Sequence, residues 1–408
     1  MPWVSYLGYE RKPLILLIFA GLFLFLSMFD YLTLTSLPLL RTPSAAMGMI
    51  LALAFAMHGV SHYRIYKGPT VWLLLLFGAT MVVELLRWIA GDTTQLIFYL
   101  QWFQVFILAI ILLDLSRDPR ALPILLGSVV AAVLLIAMMG LLLGSAEFSK
   151  GRSGFEEINL NQQAYFYTLG LITLLWLLIE RVRTMQLWQV MALLLGCAIL
   201  MLAILKSGSR GGFLSMMVGI TMLLMLEARS RNTSAYIYVL PPVLFAGLGF
   251  VLSTDLVIER LQNTVVGQED MSRFKIWYWS WQLITEKPLM GQGPDFMELL
   301  GGYLSGVALT THNAYLHVAI SFGIPALILW LGFLGSILLR CWQVRHTPSG
   351  ALLISLVVTG LWFGLTGTMA FNRYFWVTLA LAANVGAYQL IPLSYPTSLV
   401  STQANRGL

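Results

Sequence analysis

The sequence predicts an all-α fold, a polytopic membrane protein whose helices cross a bilayer about twelve times, and three observations carry that prediction. Of its 408 residues 59% are hydrophobic and only 10% charged, with a mean hydropathy of +0.82; a soluble domain is about a quarter charged. Apolar stretches of about 18 residues or more recur along the whole length, each long enough to cross a ~30 Å hydrocarbon core. Lipid offers the backbone no hydrogen-bond partners, so such stretches fold as helices. Strict alternation of apolar and polar residues is absent, which argues against an outer-membrane barrel.

Taken in order, the apolar runs give spans at 13–29, 44–62, 70–90, 96–115, 121–143, 164–180, 187–206, 211–227, 234–253, 314–339, 350–370 and 375–392. The first follows Arg11 and Lys12 and lacks the small-residue cleavage site of a removable signal, so it reads as a span. The second closes before Arg64 and Lys67, and the third carries Arg87 one turn after Glu84. Arg117 and Arg120 separate the fourth from the fifth, Arg181 and Arg183 the sixth from the seventh, and Arg229 and Arg231 close the eighth. The tenth ends at Arg340 and Arg345, and Arg406 lies in the short tail after the twelfth. Residues 1–408 thus read as one integral membrane domain, with 254–313 as its large extramembrane loop, too short for an independent domain. Cys197 and Cys341 fall too far apart in this topology to suggest a disulfide.

The basic pairs just named identify the cytoplasmic side, with both termini on it. Ten of the 24 lysines and arginines nevertheless fall on the outer side: Arg41, Lys150, Arg152, Lys206, Arg210, Arg260, Arg273, Lys275, Lys287 and Arg373. Positive charge kept against the orientation rule implies an anionic partner there.

Three outer constellations could carry chemistry. Lys206-Ser-Gly-Ser-Arg210-Gly-Gly212 is a glycine-rich turn entering a helix. It would aim backbone N–H groups and a helix dipole at an anion, with Arg210 as a bidentate donor; alternatively it is a turn whose cations reach the headgroups. It lacks the P-loop pattern, so no nucleotide is implied. Ser272-Arg273-Phe274-Lys275, followed by Trp277, Trp279 and Trp281, reads as an amphipathic helix lying on the membrane or packing against the spans. Thr310-Thr-His312-Asn313-Ala-Tyr315-Leu-His317 puts a histidine that can take up a proton near neutral pH at a span boundary; alternatively His312 orients the helix start and His317 is packed inside. His-x4-His is not the i, i+4 pair of a helical zinc site, and no metal or other cofactor is expected. His58 and His62 do share a face but lack further ligands. No acidic pair of the glycosidase kind stands out on the outer face.

These motifs resemble, in order and topology, those of the bacterial O-antigen ligase and polymerase superfamily. Ser209-Arg210-Gly211-Gly212 is similar to its Ser-Arg-Gly turn. Arg273-x3-Trp277 with Lys287-Pro-Leu-Met-Gly291-Gln-Gly293 and Phe296 resembles its Arg-x3-Trp and Pro-Leu-x-Gly-x-Gly-x2-Phe stretch. His312-Asn313-x-Tyr315-Leu316 is similar to its His-Asn-x-x-Leu motif, and Gly151-Arg152 to Asn161 is a weaker match to a Gly-Arg…Asn pattern. The likeness is close over 150–316 and topological elsewhere.

The resemblance implies a GT-C-like inner-membrane glycosyltransferase, most like the O-antigen ligases, acting on the periplasmic side without metal or nucleotide sugar. Its expected donor is a glycan on undecaprenyl diphosphate and its acceptor lipid A–core; membrane lipids surround it, and nucleic acid is not a partner. Arg210 and Arg273 would hold the diphosphate and His312 would activate the acceptor hydroxyl. Arg152, Asn161, Lys206, Ser209, Gly211, Lys275, Asn313, Tyr315 and Arg373 are the expected substrate contacts. The family often has an acidic residue a few positions after its His-Asn pair, where this chain has His317. A polymerase extending a lipid-linked chain shares the donor and differs in acceptor. A transporter of an anionic lipid would instead bury charge at mid-bilayer.

Overall fold

The computed structural model describes residues 11–30, 42–59, 69–89, 96–142, 159–231, 270–304, 306, 308–369 and 372–389. The span expected at 234–253, the loop residues 254–269, and Arg152 lie outside them. Among the described residues the chain is helical, with no strand. In order the helices are α1 (Leu14–Leu26), α2 (Pro43–Gly59), α3 (Pro69–Ile89), α4 (Leu96–Leu115), α5 (Ala121–Leu142), α6 (Leu160–Arg181), α7 (Leu187–Ser207), α8 (Arg210–Arg231), α9 (Asp270–Glu286), α10 (Phe296–Leu304), α11 (Ala314–Gln343), α12 (Pro348–Phe363) and α13 (Arg373–Ala383). Five are long and apolar enough to cross a membrane: α5, α6, α7, α8 over Arg210–Ala228, and α11. Leu53, Met57, Leu142, Leu187, Met191, Leu195, Ile328 and Leu339 all turn outward. Exposed apolar side chains on this scale would be a liability in water and are the ordinary lining of a protein in lipid.

The interior is built by close approach. A side chain at Gly219 of α8 would collide with Thr359 of α12, and one at Gly360 of α12 with Phe375 of α13. Small residues at helix crossings let van der Waals contact do the work that water-driven burial cannot do in lipid. Larger rings fill the remainder: Trp102, Tyr165, Trp330, Phe363 and Trp376 are almost wholly buried, and Tyr165 stacks on Phe363 at 5.0 Å.

The helix ends gather into two polar rims. At one, Lys12 Nζ meets Asp114 at 2.8 Å, and Asp118 accepts hydrogen bonds from the Lys12 N–H at 2.8 Å and from Arg120 Nη2 at 2.7 Å. The Trp176 indole donates to the Pro348 carbonyl, Asn384 to Leu113 O, and Arg340 to Ala383 O. This rim collects basic residues assigned to the cytoplasmic loops. Burial alone would raise the pKa of Asp118, but the Arg120 and Lys12 hydrogen bonds outweigh it and hold the carboxyl below its usual range.

Two expected spans are shorter than the sequence suggests. Helix α12 ends at Phe363 because the Gly364 carbonyl turns away to accept from Ala314 N at 2.8 Å. Helix α13 ends at Ala383, and a 3-10 turn follows at Val385–Gln389.

The expected continuous span at 314–339 is broken in the structure. Gly323 adopts φ 86°, ψ 171° inside α11, ahead of Pro325. Proline has no N–H and its ring crowds the carbonyl four residues back, so the helix cannot run straight through. In an unbroken helix the Ile324 N–H would bond the Ile320 carbonyl. Here Ile324 N donates to Pro288 O, and Ile320 O accepts from Gln292 N, both at 2.7 Å. The turn after α9 is thus spliced into the helix at the break. Gly291, at φ 69°, lies so close to Ser321 that a Cβ would come within 2.6 Å of its backbone, and a Cβ at Gly323 would strike the Leu289 carbonyl, which explains glycine at both positions.

Candidate functional site

The opposite rim holds the motif residues. Helix α7 ends on Gly208 in the left-handed conformation, φ 60°, the common glycine stop. Ser209, buried, then caps α8: its Oγ accepts from Gly212 N at 3.0 Å and its carbonyl from Phe213 N at 2.9 Å. Arg210 is therefore the first residue of α8, half-buried. Gly211 lies against Thr366 and Gly212 against Ala164 of α6, so no larger residue fits at either place. The turn is pinned between α6 and the end of α12.

His312 occupies a second turn on the same support. It has φ 47°, rare for a side chain with a Cβ. The next residue, Asn313, caps α11 by accepting from Tyr315 N at 2.9 Å and Leu316 N at 3.0 Å. Its Nδ2 donates to Leu365 O at 3.3 Å, and the Tyr315 hydroxyl donates to Leu361 O at 2.8 Å. Thr311 Oγ1 donates to the Asn313 carbonyl at 2.8 Å. Asn313 and Tyr315 are thus committed to the end of α12 and Thr311 to Asn313, which holds His312 in its unusual backbone setting.

Helix α9 brings the third part. The Trp277 indole donates to Thr311 O at 3.1 Å, tying α9 to the His312 turn. Arg273 stands one turn earlier on the same helix face, close enough that its cation acts on His312. Burial first, and then the Arg273 charge, lower the His312 pKa from its ordinary 6.5. A neutral imidazole at pH 7 is thereby favoured, the form able to accept a proton. Helices α6, α8, α11 and α13 all begin at this rim, and each N-terminus carries partial positive charge.

Other expected contacts distribute differently. Asn161 lies in the first turn of α6, its N–H bonded to the Asn159 cap at 2.9 Å. Lys206 is exposed at the end of α7. Lys275, two residues beyond Arg273, falls on another side of α9 and is exposed. Arg373 reaches the same rim, but its Nη1 bonds the Asp30 carboxylate and Ser44 Oγ, and its guanidinium lies 5.4 Å from the Phe23 ring. It binds α13 to α1 and α2. His317 is buried, edge-on to Phe296 at 5.0 Å and near Trp102. Thr311, Thr366 and Gln292 were not singled out from sequence; the signal for the last was available in the Gly323-x-Pro325 break it mends.

A family model described as Wzy_C, O-antigen ligase, matches residues 195–331. That stretch contains the Arg210 turn, Arg273 with the Pro288–Gly293 turn, and the His312 turn. Residues 195–331 are an O-antigen ligase superfamily domain. No curated protein matches the chain. As in that superfamily, the fold is helical and membrane-embedded, and the domain places its motif turns at one rim of the bundle. Asn161 and Arg373 fall outside the matched stretch.

Proposed function

We propose that this protein is an O-antigen ligase of about twelve spans, with this rim facing the periplasm of the inner membrane. It transfers a glycan from undecaprenyl diphosphate to lipid A–core. The observation that carries the reading is the placing of Arg273 beside a half-buried His312, whose pKa burial and the Arg273 charge both lower, on the support that also positions the Arg210 turn. The acceptor hydroxyl gives its proton to His312 as its oxygen attacks the anomeric carbon. The bond from that carbon to the diphosphate oxygen breaks, and the electron pair leaves with the diphosphate. Guanidinium groups at Arg210 and Arg273, with the N-terminus of α8, stabilise that developing charge, the kind of preorganised stabilisation that dominates many rate enhancements. Direct displacement inverts the anomeric configuration.

Asn313 and Tyr315 serve as positioning residues for His312, and Ser209 and Gly211 for Arg210. The test is transfer by purified protein given lipid-linked glycan with lipid A–core, or with a second lipid-linked glycan. Conjugation to lipid A–core supports ligation. Chain extension on the second lipid-linked glycan assigns the same machinery to polymerisation instead.

A further inference from the structure

We infer that Gln292 is a positioning residue, holding α9 in the orientation that keeps Arg273 beside His312. The inference deepens the proposed function and rests on it for the role of Arg273. Gln292 bonds in two directions. Its backbone N–H donates to Ile320 O of α11 at 2.7 Å. Its side-chain Nε2 donates to Leu283 O at 2.8 Å and approaches Glu286 Oε2 at 3.3 Å, both in the last turn of α9. One residue thus joins the C-terminal carbonyls of α9 to the gap in α11.

The consequence follows from lengths. Helix α9 is held to the His312 turn at Trp277 and to the break at Pro288–Gln292, eleven residues or more further on. From Trp277 to the end of α9 at Glu286, a rise of 1.5 Å per residue puts the two holds roughly 14 Å apart. Their partners, Thr311 and Ile324, are separated by the first part of α11. Helix α9 therefore runs alongside α11, with Ile276, Ser280, Leu283 and Ile284 buried and Phe274, Tyr278 and Trp281 exposed. A helix fixed at both ends cannot slide or rotate, and its rotation decides whether Arg273 faces His312. The chain then returns through α10, where Tyr303 stacks on Trp279 at 4.3 Å. Without the Gln292 side-chain bonds the backbone contacts at the break remain, but the last turn of α9 loses its direct tie to them and is left with the Trp277 hold to set its rotation.

Gln292→Met keeps length and backbone and removes only the side-chain donor. Two measurements separate this inference from the proposed function. In the first, Arg273→Cys and His312→Cys are combined and cross-linked with a bis-maleimide; Cys197 and Cys341 are buried. Adding Gln292→Met should slow that cross-link severalfold while leaving the detergent melting temperature nearly unchanged. An unchanged cross-linking rate overturns the inference, whatever the protein's activity. In the second, donor turnover is measured: Gln292→Met should raise the KM for lipid-linked glycan, with no further rise when added to Arg273→Ala. A full additional loss in the Arg273→Ala background overturns it. Slowed cross-linking in a protein without transferase activity would leave the inference standing and remove the function.

Discussion

At the scale of single residues the proposed chemistry rests on the His312 imidazole and the Arg210 and Arg273 guanidiniums. His312→Ala should abolish glycan transfer with the melting temperature preserved; measurable wild-type-like turnover would remove it from the chemistry. Burial and the Arg273 cation both lower its pKa, so the acid limb of kcat/KM should lie below pH 6.5, the ordinary histidine value. Removing the cation relieves part of that depression, so Arg273→Gln should move the limb toward higher pH. Arg210→Ala and Arg273→Ala should each cost on the order of 10²–10³ in turnover, the usual loss for one preorganised donor at developing negative charge. Lysine replacements should recover only part, because a point charge does not reproduce a bidentate fork. Asn313→Ala removes a helix cap and should cost about 1 kcal/mol of stability, with a larger fall in turnover because His312 loses its neighbour's hold on Leu365.

At the scale of elements, how the sequence divided into legible and illegible parts has physical reasons. Helix positions were legible because a helix in lipid needs a long apolar run, and the helices from α1 to α8 begin and end close to where the runs do. The Ser209-Arg210-Gly211 and His312-Asn313 turns were legible as motifs, and the structure brings both to the end of α12. Asn313 and Tyr315 are expected substrate contacts from the resemblance alone, and their structural part was not legible. Their hydrogen bonds to Leu365 and Leu361, 52 and 46 residues away, depend on tertiary packing. Arg373 likewise looked like a free outer cation until Asp30, 343 residues distant, was seen to hold it. The break in α11 was written in Gly323 and Pro325 but masked by an unbroken apolar run. Gly291→Ala would force a Cβ against the Ser321 backbone and should lower the melting temperature; an unchanged melting curve would contradict the spliced arrangement.

At the scale of the whole molecule the two rims have opposite duties. One is a set of ion pairs and carbonyl contacts that fixes α1, α4, α5 and α13 to one another; the other gathers guanidinium and imidazole groups at the ends of several helices, with Arg373 paired to Asp30. Asp118 is the centre of the first rim. Because its folded-state pKa is depressed, its stabilising effect is present at neutral pH and lost as pH falls below the ordinary carboxylate value. Asp118→Asn should therefore lower the melting temperature at pH 7 and have progressively less effect as the pH falls below the ordinary carboxylate value of 3.8. Thermal unfolding at a series of pH values reads this directly. The central claim, a metal-independent glycosyl transfer at the second rim, is tested most directly by one reaction. Purified protein in detergent, given undecaprenyl-diphosphate-linked glycan and lipid A–core, should form the conjugate with no membrane and no ion gradient, and should fail to do so with His312→Ala. Absence of conjugate, together with gradient-driven movement of the lipid-linked glycan in vesicles, would contradict it.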